Sequence, residues 1–246
     1  MFIAFEGIDG SGKSTQFKLF SEYLFDKDKH NNLVLTRNPY KDTNIREILR
    51  ESNDPLTQAD KLATLFIEDR FKQAKEIINP NLEEGNIVIT DRHKLSTITY
   101  QGAQGLAMQD LLKRHEGLPV PDITFIIDVP SKDAAFRMQK DNKRDIGREH
   151  KFEADSEFQE TIRQNYLKAK QLSPNDKIFI IDGNRNQEII HKEVVEIFER
   201  EISDLIEDKP TQLTLQFLLD EIKNLKQKIE DLEKTPNSND PYSHTN

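Results

Sequence analysis

The chain has 246 residues, 35% of them apolar, which suffices for one α/β domain of ordinary size plus an appendage. The net charge is −9, whereas nucleic-acid-binding proteins usually have a positively charged surface. We therefore expect no nucleic-acid partner. The apolar runs are too short to span a membrane, and the absence of cysteine excludes disulfides and thiol nucleophiles. We therefore expect a cytoplasmic protein without a membrane partner.

Five short apolar runs predict buried β-strands, and helical patterns separate them. This alternation is typical of an α/β fold in which crossover helices join parallel strands. Ligands of such sheets bind beyond the carboxyl ends of the strands, so the residues after each strand are candidates for function. The predicted strands are Phe2–Phe5, Leu33–Thr36, Ile87–Thr90, Ile123–Asp128 and Ile178–Asp182.

The first strand leads into GIDGSGKST, which spans Gly7–Thr15 and fits the P-loop pattern G-x4-G-K-[ST]. In that pattern backbone N–H groups surround phosphates, the lysine reaches the terminal phosphates and the hydroxyl binds Mg²⁺. Three of the nine glycines lie in this window, and apolar residues at helical spacing follow over Thr15–Phe25. We therefore predict a three-layer P-loop fold that binds a nucleotide. The predicted contacts are Gly7, Ile8, Asp9, Gly10, Ser11, Gly12, Lys13, Ser14 and Thr15.

A P-loop alone does not distinguish kinases, GTPases and motor ATPases, so the later residues matter. Arg37 follows the second strand and either binds a phosphate bidentately or lies on the surface at a turn. Phe66 and Arg70 are one helical turn apart and suit a planar base. A core phenylalanine beside an Arg70–Asp69 ion pair would give the same pattern.

The third predicted strand is followed by Asp91 and Arg92 and then by a helix with one polar face. That face suits a sugar and a base edge, although an ordinary solvated helix face has the same composition. Its residues are Ser96, Thr97, Tyr100 and Gln101. Phosphoryl transfer between two nucleotides needs cations on both sides and exclusion of water, which these residues would help to supply.

Residues 140–155, KDNKRDIGREHKFEAD, are dense in charge and contain Arg144 and Arg148. Such a run is usually a solvated surface segment. It is also typical of a lid that closes over a triphosphate and supplies arginines.

The C-terminal part of the chain differs from the rest, and Lys209-Pro210 ends the helix predicted over about Asn186–Glu207. We predict domains at 1–207 and 211–234, followed by a disordered tail at 235–246. Residues 215–232 carry a heptad pattern that favours a parallel dimeric coiled coil, although three heptads also suit a helix packed on its own domain. The a and d positions are Leu215, Leu218, Ile222, Leu225, Ile229 and Leu232.

Five stretches, taken together and in their order along the chain, make it resemble the thymidylate kinases, which are P-loop nucleoside monophosphate kinases. They are FEGIDGSGKSTQ, TRNP, LFIEDR, DRHKLSTITYQGA and FQETIRQNYLKA, and they span residues 1 to about 205. The resemblance implies a five-stranded parallel sheet flanked by helices, a homodimer, and Mg²⁺-dependent transfer of the γ-phosphate of ATP to dTMP, giving dTDP for dTTP synthesis. A related pyrimidine nucleotide or deoxynucleoside kinase is the alternative, and a non-catalytic scaffold acting through its coiled coil is a less favoured one.

The resemblance also implies roles for the phosphate-binding and metal-binding residues. Lys13 and the loop amides would hold ATP, and Ser14 with Asp91 would bind the metal. Asp9 would contact the acceptor and help to organise the metal. Arg37 and Arg92 would bind the dTMP phosphate.

For the nucleoside, the resemblance implies that Phe66 stacks on thymine while Arg70 hydrogen-bonds the edge of the base. Tyr100 would crowd the 2′ position and so favour deoxyribose. Further contacts to the base and sugar would come from Ser96, Gln101 and Tyr166.

Two positions need comment: the catalytic arginine, whose place varies among family members, and residue 38, where this chain departs from many of them. Some members carry the catalytic arginine in the P-loop; this loop has none, so the resemblance assigns that role to Arg148, or failing that to Arg144. Many members have Arg-Glu-Pro where this chain has Arg37-Asn38-Pro39, so a carboxylate is absent at that position.

Overall fold

In the computed structural model, described residues are 1–41, 44–45, 47–48, 58–140, 156–207, 223 and 226. Residues 1–198 form one compact unit, and residues 199–246 form a second. The predicted coiled coil at 211–234, the tail at 235–246 and the charged run at 141–155 lie outside the described residues, Lys223 and Lys226 excepted. The domain boundaries predicted from the sequence stay a prediction.

The first unit is built on five parallel strands in the order β2-β3-β1-β4-β5, which confirms the predicted sheet. The first three strands each extend one residue beyond the predicted end, because the polar residue that follows the apolar run still pairs with its neighbour. The strands are β1 Phe2–Glu6, β2 Leu33–Arg37, β3 Ile87–Asp91, β4 Ile123–Asp128 and β5 Ile178–Asp182.

Helices connect these strands. They are α1 Lys13–Lys27, α2 Ala59–Gln73, α3 Asn79–Glu83, α4 Lys94–Ala103, α5 Met108–Arg114, α6 Ser131–Lys140, α7 Ser156–Leu172 and α8 Gln187–Glu207, with a π-helical turn at Ala74–Ile78 between α2 and α3. The chain moves from β1 to β2 in one direction and from β2 through β3 and β4 to β5 in the other. Right-handed crossovers therefore put α1 on one face of the sheet and the later connecting helices on the other.

Aromatic rings fill the core between the sheet and α1. Phe5 on β1 and Phe125 on β4 have ring centroids 5.2 Å apart, and Phe20 on α1 meets Phe198 on α8 edge to face at 4.9 Å. These distances lie in the range where offset and edge-to-face pairs are favourable. This packing fixes α1, and with it the loop that precedes α1, against the central strand.

Two buried histidines make the stability of the fold depend on pH. His93 Nε2 lies 3.0 Å from the Pro119 carbonyl oxygen, and His115 Nδ1 lies 2.6 Å from the Leu111 carbonyl oxygen. Burial and the nearby charge of Arg70 lower the pKa of each histidine from 6.5 to about 3. The unfolded chain therefore binds protons between these two values that the folded chain does not, so each histidine lowers the free energy of unfolding by about 1.4 kcal/mol per pH unit as the pH falls.

We expect the double variant His93→Gln/His115→Asn to lose this dependence. The side-chain amide nitrogens of glutamine and asparagine stand in for Nε2 and Nδ1 respectively, and neither amide titrates. Urea unfolding at pH 6 and pH 5 should show a decrease in the free energy of unfolding that is about 2 kcal/mol smaller in the variant than in the wild type. Glu6, whose pKa burial raises, acts in the opposite sense but does so in both proteins. If the free energy of unfolding of the variant depended on pH as strongly as that of the wild type, His93 and His115 would not be the groups responsible.

Candidate active site

The P-loop lies between β1 and α1, which is the strand-and-helix context predicted from the sequence. Its glycines are needed because the loop passes close to other backbone. A Cβ on Gly10, at φ +80°, would lie 2.4 Å from the Ala134 carbonyl oxygen, and one on Gly7, at φ +140°, would lie 2.6 Å from that of Ile127. Any side chain at either position would collide with backbone, so the loop can pack against β4 and α6 only with glycine there.

The loop and the start of α1 line a cavity that we call the P-loop cavity. Its lining includes Gly10, Ser11, Gly12, Lys13, Ser14, Thr15, Gln16, Ile127, Arg137, Met138, Gly183, Arg185, Gln187 and Ile190. Arg137 and Arg185 were not identified from the sequence. Arg137 donates to the Ser11 carbonyl at 3.3 Å and to the Gly183 carbonyl at 3.0 Å, so it ties α6 to the P-loop as well as lining the cavity.

On the other side of the loop lies a second cavity, which we call the Phe66 cavity. Its lining is Asp9, Asn38, Pro39, Leu62, Phe66, Arg70, Arg92, Ser96, Thr97, Tyr100, Gln101, Gln104 and Gln159. The structure thus brings together Phe66 and Arg70 from α2, Asp9 from the P-loop, and the polar face of α4. Arg37 and Tyr166 are not among these lining residues. Arg37 is exposed at the end of β2, and Tyr166 is 1% exposed.

Asp9 is the carboxylate that two cations share. Lys13 Nζ lies 3.2 Å and Arg92 Nη2 lies 2.6 Å from Asp9 Oδ1, and the Tyr100 hydroxyl donates to Oδ2 at 3.1 Å. Burial alone would raise the pKa of Asp9, but the charges of Arg92 and Lys13 outweigh burial and hold that pKa well below its usual range. Asp9 is therefore ionised at neutral pH and holds both cations at the edge of the P-loop.

Arg92 has a backbone conformation that non-glycine residues seldom adopt, with φ +74°. Its N–H donates to the Phe5 carbonyl at 2.9 Å, and its own carbonyl accepts from Thr90 Oγ1 at 2.9 Å. These bonds hold the turn between β3 and α4 so that the guanidinium points back toward Asp9. A strained backbone at a charged residue in a cavity is typical of a functional position.

Both edges of the Arg92 guanidinium are engaged. Nη2 donates to Asp9 and to the Tyr100 hydroxyl at 3.2 Å, while Nη1 donates to Ser96 Oγ at 3.0 Å and to the Tyr166 hydroxyl at 3.3 Å. Burial would lower the pKa of Arg92, but Asp9 and the other neighbours raise it, so the guanidinium stays charged. The result is a fixed cation facing the Phe66 cavity.

Arg70 is held by neighbours on α2 and α4. Its Nη1 donates to the Phe66 carbonyl at 3.3 Å and also to Thr97 Oγ1, and Asp69 accepts from the Tyr40 and Lys41 backbone N–H groups. Burial lowers the pKa of Arg70 to about 10, so it remains a cation at neutral pH. Its Nε is buried and has no hydrogen-bond partner among the described residues.

Asn38 lines the Phe66 cavity. Its Nδ2 donates to Gln73 Oε1 at 2.9 Å, and Gln73 Nε2 in turn donates to Thr36 Oγ1 at 2.8 Å. These bonds fix the Asn38 amide, whose buried Oδ1 has no partner within the described part of the chain. The position therefore adds no charge to the cavity lining.

Ser14 and Asp91 meet at the P-loop, where Ser14 Oγ donates to Asp91 Oδ2 at 2.8 Å. The other carboxylate oxygen, Asp91 Oδ1, is buried and without a hydrogen-bond partner among the residues described. In the same part of the chain, no cluster of three or more histidine, aspartate and glutamate residues is arranged to hold a metal. The site thus offers a hydroxyl and a carboxylate, which suits a magnesium ion that takes its remaining ligands from phosphates and water.

The sequence reasoning gave no role to Glu6, which ends β1 and is 0% exposed. Its carboxylate lies behind Arg92, next to Ser96 and Tyr166. The two arginines predicted in the lid, Arg144 and Arg148, lie outside the described residues.

Comparison with known proteins agrees with this geometry. The family model described as thymidylate kinase matches residues 5–194. The thymidylate kinase of Thermosipho africanus is 36% identical, covering 82% of this chain and 99% of its own, and that of Kosmotoga olearia is 38% identical, covering 80% and 95%. The crystal structure of thymidylate kinase from Ehrlichia chaffeensis superposes with a TM-score of 0.61 at 32% identity, covering 80% of this chain and 98% of that one. In the described ranges, no helix has the length and apolar character needed to cross a membrane.

Proposed function

Because the chain belongs to the thymidylate kinase family, we propose that it transfers the γ-phosphate of ATP to dTMP, giving dTDP and ADP. The observation that carries this proposal is the pair of cavities on either side of the P-loop, with Lys13 and Arg92 meeting at Asp9 between them. In this proposal Lys13 binds the donor phosphates and Arg92 binds the acceptor phosphate. Because both cations start from Asp9, the two reacting phosphates would lie next to each other at this point of the P-loop.

The donor nucleotide is assigned to the P-loop cavity. The backbone N–H groups of Gly7–Thr15 and the N-terminus of α1 present donors and a positive helix end to the ATP phosphates. Lys13 is the first residue of α1 and 5% exposed, so its ammonium acts in a poorly solvated place where charge interactions are strong. Arg137 and Arg185 add positive charge to the same cavity.

The acceptor dTMP is assigned to the Phe66 cavity. Arg92 would bind its phosphate, and Phe66 would stack on the base while Arg70 donates to the base edge. Tyr100, Ser96 and Gln101 would contact sugar and base from α4. Support comes from their common place in one lining. Tyr166 acts behind Arg92 in this proposal, and the role of Arg37 stays a prediction from the resemblance.

Magnesium is proposed at Ser14 and Asp91. The hydroxyl and carboxylate oxygens there are of the kind that Mg²⁺ prefers. When bound, Mg²⁺ neutralises charge on the donor phosphates.

The transfer itself needs little covalent chemistry from the protein. An oxygen of the dTMP phosphate forms a bond to the γ-phosphorus, the bond from that phosphorus to the β–γ bridging oxygen breaks, and ADP leaves with the electron pair. The side chains hold the two phosphates in line and stabilise their charge. Lys13 and Arg92 must turn from Asp9 toward phosphate oxygens for this, and Arg148 or Arg144 is proposed to close over the donor.

The test is the rate of ADP formation from Mg-ATP with dTMP, dUMP, dCMP, ribosylthymine monophosphate and thymidine as separate acceptors. We expect turnover on dTMP in the usual kinase range of about 1–100 s⁻¹. The ribose form should react at least about 10-fold less well, because Tyr100 crowds the 2′ position. Turnover on thymidine but not on dTMP would replace the proposal with a deoxynucleoside kinase, and no turnover on any acceptor by folded, ATP-binding protein would favour a scaffold.

A homodimer through helices of the core, with further association through residues 215–232, is also proposed. Sedimentation of the full chain and of a chain ending at residue 207 measures both. A dimer in both proteins would support the core contact, and a larger assembly only in the full chain would support the heptad segment.

A further inference from the structure

Glu6 is a fully buried carboxylate that belongs to neither cavity. It accepts four hydrogen bonds, from the His93 N–H at 2.8 Å and the Ser96 N–H at 3.2 Å on Oε1, and from Ser96 Oγ at 2.6 Å and the Tyr166 hydroxyl at 3.0 Å on Oε2. A buried carboxylate is costly unless its oxygens are satisfied, and here both are. Donors from the start of α4 and from α7 thus converge on one residue of β1, which calls for a reason beyond packing.

Two of those bonds fix the start of α4. His93 is the N-cap residue of α4 and its side chain does not cap the helix. Glu6 caps the helix instead, because its Oε1 takes the N–H groups of His93 and Ser96, and its negative charge lies at the positive end of the helix. The residue immediately before this capped end is Arg92.

The other two bonds reach the Arg92 side chain through hydroxyls. Ser96 Oγ and the Tyr166 hydroxyl each lie between Glu6 Oε2 and Arg92 Nη1. The two hydroxyls also lie 2.9 Å apart and share a hydrogen bond. A guanidinium can only donate, so both hydroxyls turn lone pairs to Arg92, and their protons lie on the bonds to Glu6 and on the bond between the two hydroxyls.

We propose that Glu6 is a positioning residue for Arg92, since through Ser96 and Tyr166 it anchors the Nη1 edge and leaves the Nη2 edge to bind the acceptor phosphate. The Nη2 edge contacts Asp9 and Tyr100, which both line the Phe66 cavity. The Nη1 edge contacts Ser96, which lines that cavity but is buried, and Tyr166, which is buried outside the lining. This inference rests on the proposed binding of the dTMP phosphate by Arg92.

The substitution Glu6→Gln tests how Glu6 positions Arg92 without changing the size of the side chain. The oxygen of the glutamine amide must face the His93 and Ser96 N–H groups, which cannot accept, so its NH₂ group faces the two hydroxyls. The amide then donates to the two hydroxyls. One hydroxyl proton can lie on the Ser96–Tyr166 bond, and the other is displaced toward Arg92. The shape of the side chain and the cap of α4 are kept, while one of the two acceptors for Nη1 is lost.

The experiment measures kcat and KM for dTMP and for ATP in the wild type, Glu6→Gln, Tyr166→Phe and Tyr40→Phe. We expect Glu6→Gln to raise the KM for dTMP by about 10-fold or more and to lower kcat, with the KM for ATP within about twofold of the wild type. Tyr166→Phe should change the same constants by roughly 2- to 10-fold, the value of one hydrogen bond. Tyr40→Phe is the matched control, because its hydroxyl also donates to a glutamate, Glu76 at 3.2 Å, but on the exposed surface; it should behave as the wild type.

A double-mutant cycle supplies the readout that a general structural role would not give. If Glu6 acts through Arg92, the variant Glu6→Gln/Arg92→Lys will be no worse on dTMP than Arg92→Lys alone. Additive losses, or equal increases in the KM values for ATP and dTMP, would overturn the inference. If Glu6→Gln does not fold, an unchanged KM for dTMP in Tyr166→Phe overturns it and a raised one supports it. A wild type without activity on dTMP overturns both this inference and the proposed function, whereas an active wild type with an unaffected Glu6→Gln variant overturns the inference alone.

Discussion

Arg92→Lys is expected to lower kcat/KM for dTMP by about 10³-fold, with little change in the KM for ATP. The planar guanidinium of Arg92 contacts Asp9, Ser96, Tyr100 and Tyr166 with two edges at once. A lysine ammonium keeps the charge but is a point donor that cannot serve both edges, so it would stay on Asp9 and lose the contacts with Ser96 and Tyr166. Lysine and arginine bear the strain of the positive φ equally, so the substitution tests the side chain and not the backbone.

Steady-state kinetics with each nucleotide varied in turn checks this. Arg114→Lys is the matched control, because Arg114 also forms a multiple contact, to Asp60 at 2.8 Å and Thr64 at 2.6 Å, but outside the lining of both cavities. The control should retain wild-type kinetics. A loss of less than about threefold in Arg92→Lys would remove Arg92 from the proposed acceptor site.

Lys13→Met is expected to lower kcat by about 10³-fold and to raise the KM for ATP at least tenfold, because it removes a buried cation from the place where charge develops on the transferred phosphate. Methionine keeps the length and the apolar stem of the side chain and is nearly as good a helix former as lysine. Asp9 would still be paired with Arg92, so the fold and the acceptor site should survive. The loss therefore reports on the donor phosphates.

Kinetics in parallel with calorimetric titration of ADP would measure this effect. Lys18→Met serves as the control, because Lys18 lies on the same helix but is exposed, and it should behave as the wild type. If Lys13→Met still binds dTMP but turns over at more than a tenth of the wild-type rate, Lys13 is not the residue that stabilises the transferred phosphate.

Patterns in the sequence were enough to predict the sheet and part of the lining of the Phe66 cavity. Apolar runs marked each strand, and the rule that parallel strands carry their ligands at their carboxyl ends placed Asp9, Asp91 and Arg92 together. Helical spacing put Phe66 beside Arg70 and brought Ser96 and Tyr100 onto one face of α4, since a 3.6-residue period relates such neighbours directly. Each of these relations follows from a general rule of strand or helix geometry.

Relations that depend on the packing of particular side chains from distant elements escaped prediction. Glu6 is separated by 90 residues from Ser96 and by 160 from Tyr166, and a glutamate at a strand end looks like any polar residue there. The place of Tyr166 behind Arg92 depends on how α7 packs against α4, which the sequence of neither helix states. Arg137 joins α6 to the P-loop across 126 residues and was missed for the same reason.

The boundary between the two cavities falls at consecutive residues of the P-loop, since Asp9 lines the Phe66 cavity and Gly10 lines the P-loop cavity. In the proposed assignment, residues that would choose between bases stand on α2 and α4, whereas those around the donor stand on the loop, α1, α6 and the segment from β5 into α8. We therefore expect that acceptor preference can be re-engineered at Phe66, Thr97 or Gln101 while the use of ATP stays as it is. A change at Asp9, which is bonded to a cation of each side, should alter the handling of both nucleotides together.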